Sequence, residues 1–328
     1  MKAWLIEGQT GIKDLKLVER DKPVLDRSEV LVRMTAPCVV PFDYAVINDE
    51  NEADFPKALL PIQPGNQGAG VIADPGHSEF AEHDRVMFGT FAYGFMRAGS
   101  WAEYVAVDAA DIAIIPASVP DGAAAQAVVA YPTALHALKA AGFTAGKTVL
   151  ATAIGGSVGN AAYQLARALG ARAVFSTAGS SSKALAAQAA GFDNVIDLSS
   201  ETMHDGILRR NNGEGVDIVI DSVGGQLLAN AVRCVGRYGA LIALGFAAGR
   251  TSTITIADLI LRRARVQGFG VYSSTPEEWR DAWSIFGRLA DAGQIKPLFD
   301  RSFAFGQAPE ALRYLIGNRP FGSVALTL

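Results

Sequence analysis

The apolar positions change their rhythm along the chain. Up to about residue 115, short β-branched runs at 30–34, 70–73, 85–89 and 102–107 are separated by clusters of Pro, Gly, Asp and Asn. Runs of that length between turn residues predict strands of a small barrel. From Thr148 onward the pattern alternates. Strands are predicted at 148–153, 173–177, 195–197, 217–221, 240–244 and 266–269, with helices at 158–169, 183–190 and 227–235. This βα alternation is the mark of a parallel, doubly wound sheet, and six strands fit a dinucleotide fold. After Pro276 come helices at 277–292 and 309–316, an extended piece at 297–303 and a last strand at 323–328. The final segment resembles the first domain more than the second. The expected division is therefore 1–120 with 297–328, around a second domain at 121–296.

Composition adds limits. Of 328 residues, 50% are hydrophobic and 19% charged, which allows a large core and argues against disorder. The net charge is −4 and the basic residues form no longer cluster than Arg262, Arg263 and Arg265, so no nucleic-acid partner is expected. The most apolar stretch, 123–138, is interrupted by Gln126, Tyr131, Pro132 and His136 and is too short to span a bilayer. Glu7 breaks the first apolar run, against a signal peptide. Cys38 and Cys234 form neither a CxxC pair nor a disulfide framework, so a reducing cytoplasm is the expected compartment.

The segment Ala153-Ile154-Gly155-Gly156-Ser157-Val158-Gly159 follows a predicted strand and opens a predicted helix. A dinucleotide pyrophosphate needs backbone N–H donors and no side chain in the way. Gly156 permits close approach of the phosphates, and Gly159 lets the helix pack near its strand. Ala153 replaces the usual first glycine, so the turn must tolerate a methyl. The plain alternative is an ordinary strand-to-helix turn; the βα context favours binding. Cofactor choice is read near the end of the second strand, where an acid would hold a ribose 2′-hydroxyl. Residues 175–183 carry no carboxylate. Ser176, Thr177, Ser180 and Lys183 are expected to contact a 2′-phosphate, favouring NADPH over NADH, and a serine-rich helix cap is compatible with that role.

At this point the residues match a known family. The matching segments are Glu29-Val30-Leu31-Val32-Arg33, Gly65-Asn66-Gln67-Gly68-Ala69-Gly70-Val71 and Gly99-Ser100-Trp101-Ala102-Glu103-Tyr104, then the 153–159 loop, 166–171, 177–180 and 217–225. In this order the chain resembles the medium-chain dehydrogenase/reductase superfamily, in its zinc-independent quinone oxidoreductase branch, over nearly its whole length. The resemblance implies an α/β protein: a GroES-like β-barrel catalytic domain plus a Rossmann domain with a doubly wound parallel six-stranded sheet. It implies a homodimer formed by pairing the edge strands of the nucleotide sheets, here 266–269. It also implies cofactor contacts from Thr133, from Gly245 and Phe246, and from Phe269 in the 268–270 loop.

Zinc members of the superfamily hold the metal at positions matched here by Val40, Asn66 and Val129. Valine offers no lone pair, and a catalytic zinc needs about three protein ligands, so no zinc is expected. Cys38 reads as a buried small residue, and His77 and His83 as exposed loop residues. Other departures from the pattern of relatives are Val40 in place of Asn, Phe55 near a usual Tyr, Leu198 in place of Tyr, and Gly322-Ser323 in place of Gly-Lys. The substrate pocket is accordingly less polar than usual.

Without zinc, direct alcohol oxidation lacks its usual alkoxide stabiliser. Conjugate reduction suits such a site better. Hydride adds to the β-carbon of an enone or quinone, the enolate oxygen needs a hydrogen-bond donor, and the α-carbon takes a proton. Tyr44 is the first candidate donor. Asn66 and Gln67 are candidates to orient a carbonyl, and Asp43 is read as a loop-fixing residue. Strand alternation would put Phe91, Tyr93 and Phe95 on one face. That face is either core or dimer contact, or forms with Phe42 the apolar wall of a substrate pocket. The expected function is NADPH-dependent reduction of quinones or α,β-unsaturated carbonyls, on a small-molecule substrate with no membrane partner. A metal-independent carbonyl or alcohol dehydrogenase, and a nucleotide-binding protein without turnover, stay open as alternatives.

Overall fold

The structure is a computed structural model that describes residues 1–49 and 58–328, so Phe55 lies outside the described residues. The chain divides into two units, Met1–Val129 with Ser274–Asp291 and Phe299–Leu328, and Ala130–Ser273 with Ala292–Leu298.

The first unit contains β1 (Lys2–Ile6), β2 (Leu15–Glu19), β3 (Glu29–Val39), the short helix α1 (Pro41–Ile47), β4 (Gln67–Asp74), β5 (Arg85–Gly89), β6 (Tyr104–Asp108) and β7 (Ile112–Ile114). The helix α2 (Asp121–Ala140) follows, and the division between the units falls inside it. Strand β3 is the spine. It pairs antiparallel with both β4 and β6. Val30, Val32 and Met34 alternate inward along it while Arg33 is exposed, the period-2 pattern that fixes register.

The second unit contains β8 (Thr148–Ala151), α3 (Ser157–Ala168), β9 (Ala173–Ala178), α4 (Ser181–Ala189), β10 (Val195–Asp197), α5 (Met203–Arg210), β11 (Val216–Asp221), α6 (Gly225–Val232), β12 (Val235–Ala243), α7 (Ile256–Arg262) and β13 (Arg265–Gly268). Its six strands run in the order β10-β9-β8-β11-β12-β13, all pairs parallel. The order reverses between β8 and β11, the switch point at which doubly wound sheets bind dinucleotides. Because helices cover both faces, neighbouring residues such as Leu150 and Val149 are both fully buried.

The chain then continues with α8 (Pro276–Asp291), β14 (Phe299–Ala304), α9 (Ala308–Asn318) and β15 (Ser323–Thr327). β15 pairs with β3 and β14 with β15, extending the first unit's sheet.

Three expectations need correction. Residues 121–129 and helix α8 belong with the first unit, not with the nucleotide unit. The cause is packing: α8 buries Trp279, Trp283 and Phe286, and Trp283 Nε1 donates to Val128 O at 2.8 Å. A buried aromatic of this size contributes about 1.5–3 kcal/mol, enough to decide which core a helix joins. Second, β1, β2, β7, α1, α2, α5 and α7 lie outside the expected elements. α5 is only eight residues long, with Met203, Gly206 and Ile207 on its buried stripe, and in α7 no residue is buried. Third, the aromatic run at 91–96 is a turn, not a strand: the N–H groups of Phe95, Met96 and Arg97 all point to Ala92 O. Among the described residues, no helix is long and apolar enough to cross a membrane.

Candidate functional site

β8 ends in the middle of the parallel sheet, and the loop after it is held from below. Thr152 N–H donates to Ile220 O at 3.0 Å, and its hydroxyl donates to Asp221 Oδ1 at 3.0 Å. Asp221 Oδ2 accepts from Gly224 N–H at 2.9 Å. Burial pushes the Asp221 carboxyl up, and these donors act against that push. The pair therefore ties the β8 and β11 loops together at the sheet's carboxyl edge.

Ala153 sits at φ 62°, in the left-handed region. A non-glycine residue there costs roughly 1–2 kcal/mol, so the methyl is tolerated under strain, as is common at functional sites. Two bonds hold it: Ala153 N–H donates to Thr177 Oγ1 at 3.0 Å and Ile154 N–H to Thr177 O at 2.9 Å. Gly156 is the N-cap of α3 and supplies no side-chain cap. The first-turn N–H groups of Ser157, Val158 and Gly159 have no intrahelical acceptor, and they lie at the positive end of the helix dipole. Gly155 and Gly156 are at least partly exposed beside them. This arrangement fits a dinucleotide pyrophosphate.

The end of β9 differs from expectation. Ser176 and Thr177 are buried. Ser176 Oγ donates to Ala151 O, and Thr177 Oγ1 supports Ala153. Both hydroxyls serve the sheet and the loop, which corrects their assignment to a 2′-phosphate. Ser180 is the N-cap of α4 and accepts from Lys183 N–H at 3.4 Å. Lys183 is half-buried in the helix's first turn. The structure also brings in a group that the local sequence did not reveal, the Asp197 carboxylate at the end of β10.

The remaining cofactor candidates also lie in the nucleotide unit. Gly245 follows β12 so closely packed on Ser222 that a Cβ would stand 2.1 Å from its carbonyl oxygen. Phe246 is exposed, with the Arg250 guanidinium 4.6 Å from its ring centroid. Phe269 N–H donates to Ala243 O at 2.9 Å just past β13, and Thr133 is buried on α2. Gly245, Phe246 and Phe269 all follow strands at their carboxyl ends, as the loop after β8 does.

In the first unit, α1 carries Phe42, Asp43 and Tyr44. The Phe42 ring lies 4.9 Å from Phe91 and 5.9 Å from Phe95. Tyr44 is half-buried against the same cluster. Tyr93 is not part of this group. It is fully buried in the other core against Phe88, and its hydroxyl donates to Asp111 Oδ2 at 2.9 Å. The expected grouping is therefore corrected: Phe42, Phe91 and Phe95 cluster together, with Phe95 fully buried, and Tyr93 lies apart. Asn66 is also nearly buried, with its amide donating to Thr90 O at 2.7 Å. Gln67 donates to Ala125 O at 3.0 Å. Asp43 joins the two candidate segments: Oδ2 accepts from Val40 N–H and Oδ1 from Asn66 N–H, each at 2.9 Å.

A zinc fits poorly here. Val40 and Val129 present only hydrocarbon, and the Asn66 amide nitrogen is engaged elsewhere. Cys38 is buried, with its thiol pushed far up by burial, while His77 and His83 are exposed. Among the described residues, no three His, Cys, Asp or Glu side chains are grouped to hold a metal ion.

Comparison with known proteins agrees with this geometry. An alcohol dehydrogenase GroES-like domain matches residues 26–117, and a zinc-binding dehydrogenase domain matches residues 157–288. The chain is 28% identical to quinone oxidoreductase-like protein 2 of Bos taurus over 282 residues, covering 82% of this chain and 77% of that protein. It is 33% identical to prostaglandin reductase-3 of Bos taurus over 251 residues, covering 73% of this chain and 64% of that protein. A solved alcohol dehydrogenase superfamily protein from Novosphingobium aromaticivorans superposes with a TM-score of 0.89 at 27% identity, covering 100% of this chain and 99% of that one. The chain thus belongs to the medium-chain dehydrogenase/reductase superfamily, in its quinone oxidoreductase-like branch. It is an NAD(P)-dependent oxidoreductase with a GroES-like domain and a Rossmann domain.

Proposed function

We propose that this oxidoreductase uses NADPH to reduce quinones or α,β-unsaturated carbonyls without zinc, in a reducing cytoplasm. One observation carries the reading: Val40 and Val129, which the family resemblance matches to the ligand positions of zinc members, have side chains with no donor atom. A bound nicotinamide supplies hydride; the protein supplies position and electrostatics. The N–H groups of Ser157, Val158 and Gly159 hold the pyrophosphate, with Gly155 and Gly156 leaving room for it. Lys183 pairs with the 2′-phosphate. Phe42 and Phe91 offer an apolar surface to the substrate, and Tyr44 donates to the oxygen on which charge develops.

The test is a substrate panel on metal-analysed protein. NADPH should be oxidised by enones and quinones, not by simple ketones, with no stoichiometric zinc and no effect of chelators. Ketone reduction, or activity lost to a chelator, would overturn the reading.

We extend the proposal to a homodimer through β13. That strand ends the sheet order, and all its residues are exposed. Next to it Ile260 and Leu261 are exposed at 68% and 77%. An open strand edge beside exposed apolar side chains is a template for pairing. Val266→Asp should shift the sedimentation coefficient to that of a monomer; a wild-type chain that sediments as a monomer would refute the dimer.

A further inference from the structure

The expected preference for NADPH follows from an acid-free turn after β9, yet the fold supplies an acid from the next strand. β10 pairs in parallel with β9, and Asp197 stands opposite Ala178, the last residue of β9. The register is closed by Leu198 N–H donating to Ala178 O at 2.9 Å. Asp197 therefore reaches the sheet's carboxyl edge at the level where an acid on the second strand would hold a ribose hydroxyl.

Its carboxylate is fixed there by serines. Ser181, the first residue of α4, donates to Oδ2 at 2.5 Å. Ser199 donates to Oδ1 through its N–H at 2.9 Å and its hydroxyl at 2.5 Å. These bonds hold the Asp197 carboxyl below the usual carboxylate range, so the charge is present throughout the neutral range. The turn's serines are thereby engaged: Ser181 with Asp197, Ser180 as the helix cap, and Ser182 with Ser180. One cation, Lys183, and one anion, Asp197, flank the start of α4.

We propose that Asp197 is a specificity-determining residue for the dinucleotide. It favours a ribose 2′-hydroxyl and opposes a 2′-phosphate, so the balance between Lys183 and Asp197 sets cofactor choice. A carboxylate and a phosphate dianion repel one another, with a strength that salt reduces. The inference rests on the reading that the dinucleotide binds over residues 153–159.

The experiment is titration of NADPH and NADH, by calorimetry or nucleotide fluorescence, on the wild type and three variants. Asp197→Asn should tighten NADPH roughly three- to fivefold, the upper part of what one solvent-screened charge contact contributes, with NADH unchanged or weaker, and the gain should shrink at high salt. Lys183→Glu should move the ratio the other way. Ser181→Ala leaves the charge while removing its contact with the helix, and should keep the wild-type ratio within about twofold. An Asp197→Asn ratio equal to wild type, or equal losses for both nucleotides, would show that Asp197 is only a turn-stabilising residue and overturn the proposal. A Ser181→Ala shift as large as that of Asp197→Asn would also overturn it. If the wild type binds neither nucleotide, the loop reading fails as well. Binding that persists with an indifferent ratio removes the Asp197 proposal alone.

Discussion

Gly159→Ala should destabilise the nucleotide unit severely, whereas Gly156→Ala should leave the fold intact and weaken nucleotide binding. The two glycines are three residues apart and serve different neighbours. A Cβ on Gly159 would stand 2.0 Å from Thr152 O and 2.5 Å from Ala153 O, both main-chain atoms. Neither can retreat easily. Thr152 is bonded to Ile220 and Asp221, and Ala153 is held in the left-handed region by Thr177. Overpacking typically costs about 1–3 kcal/mol, and a clash with fixed backbone on two sides belongs at or above the top of that range. A drop in melting temperature on the order of 10 °C is expected. At Gly156 the nearest atom to an added Cβ is Ala153 O at 3.4 Å, and φ is −83°. The fold has room for a methyl there. The pyrophosphate does not, if main-chain atoms must approach it closely. Gly156→Ala should therefore melt within about 1–2 °C of wild type and lose about tenfold or more in nucleotide affinity. Parallel thermal melts and nucleotide titrations separate the two effects. Equal melting losses in both variants, or wild-type affinity in Gly156→Ala, would contradict this division of roles.

The same loop shows how far the sequence could be read. Residues 153–159 declare themselves because spacing, glycine and the surrounding βα rhythm are all local. The six parallel strands are legible for the same reason, to within two residues at each end except at the start of β12, which begins at Val235 where the pattern predicts a helix end. Relations through space are not. Ser176 and Thr177 look like available hydroxyls, but a parallel sheet covered on both faces buries adjacent residues alike. Asp197 belongs to another strand, so no inspection of residues 175–183 could place it beside Ser181. Phe91, Tyr93 and Phe95 alternate as strand residues do, yet Gly94 at φ 73° turns the chain between them, sending Tyr93 to Asp111 and the two phenylalanines to Phe42. Helix α8 was legible as amphipathic; which core receives Trp279, Trp283 and Phe286 was not.

Asp43 gives the second large effect, in the first unit. Its carboxyl is 2% exposed and is the acceptor for Val40 N–H and Asn66 N–H, so it clamps the start of α1 to the start of β4. Asp43→Ala leaves both buried donors unpaired. At about 1–3 kcal/mol for each, the loss should be roughly 2–6 kcal/mol, read by denaturant unfolding, and Tyr44 and Asn66 should lose their fixed spacing with it. The pH dependence identifies the clamp more sharply. Burial pushes Asp43 up from 3.8 to about 7, against the backbone donors that favour its charged form. A carboxyl with a raised folded pKa binds its proton more tightly folded than unfolded. Its stabilising contribution is complete below 3.8 and is lost as pH rises through about 7. A rise of that size corresponds to roughly 4 kcal/mol across that window. Cys38, the neighbouring titratable group, stays neutral throughout because burial, and then the Asp43 charge, push its thiol far up. Asp43→Asn cannot titrate. It keeps one carbonyl acceptor and turns an amide donor toward the other N–H, so it should be less stable than wild type in acid. The gap should narrow steadily as pH rises toward 7, because only the wild type loses stability there. A wild-type-minus-Asn difference that stays constant from pH 4 to 8 would mean that Asp43 is charged across the whole range, held so by its two N–H donors against the penalty of burial.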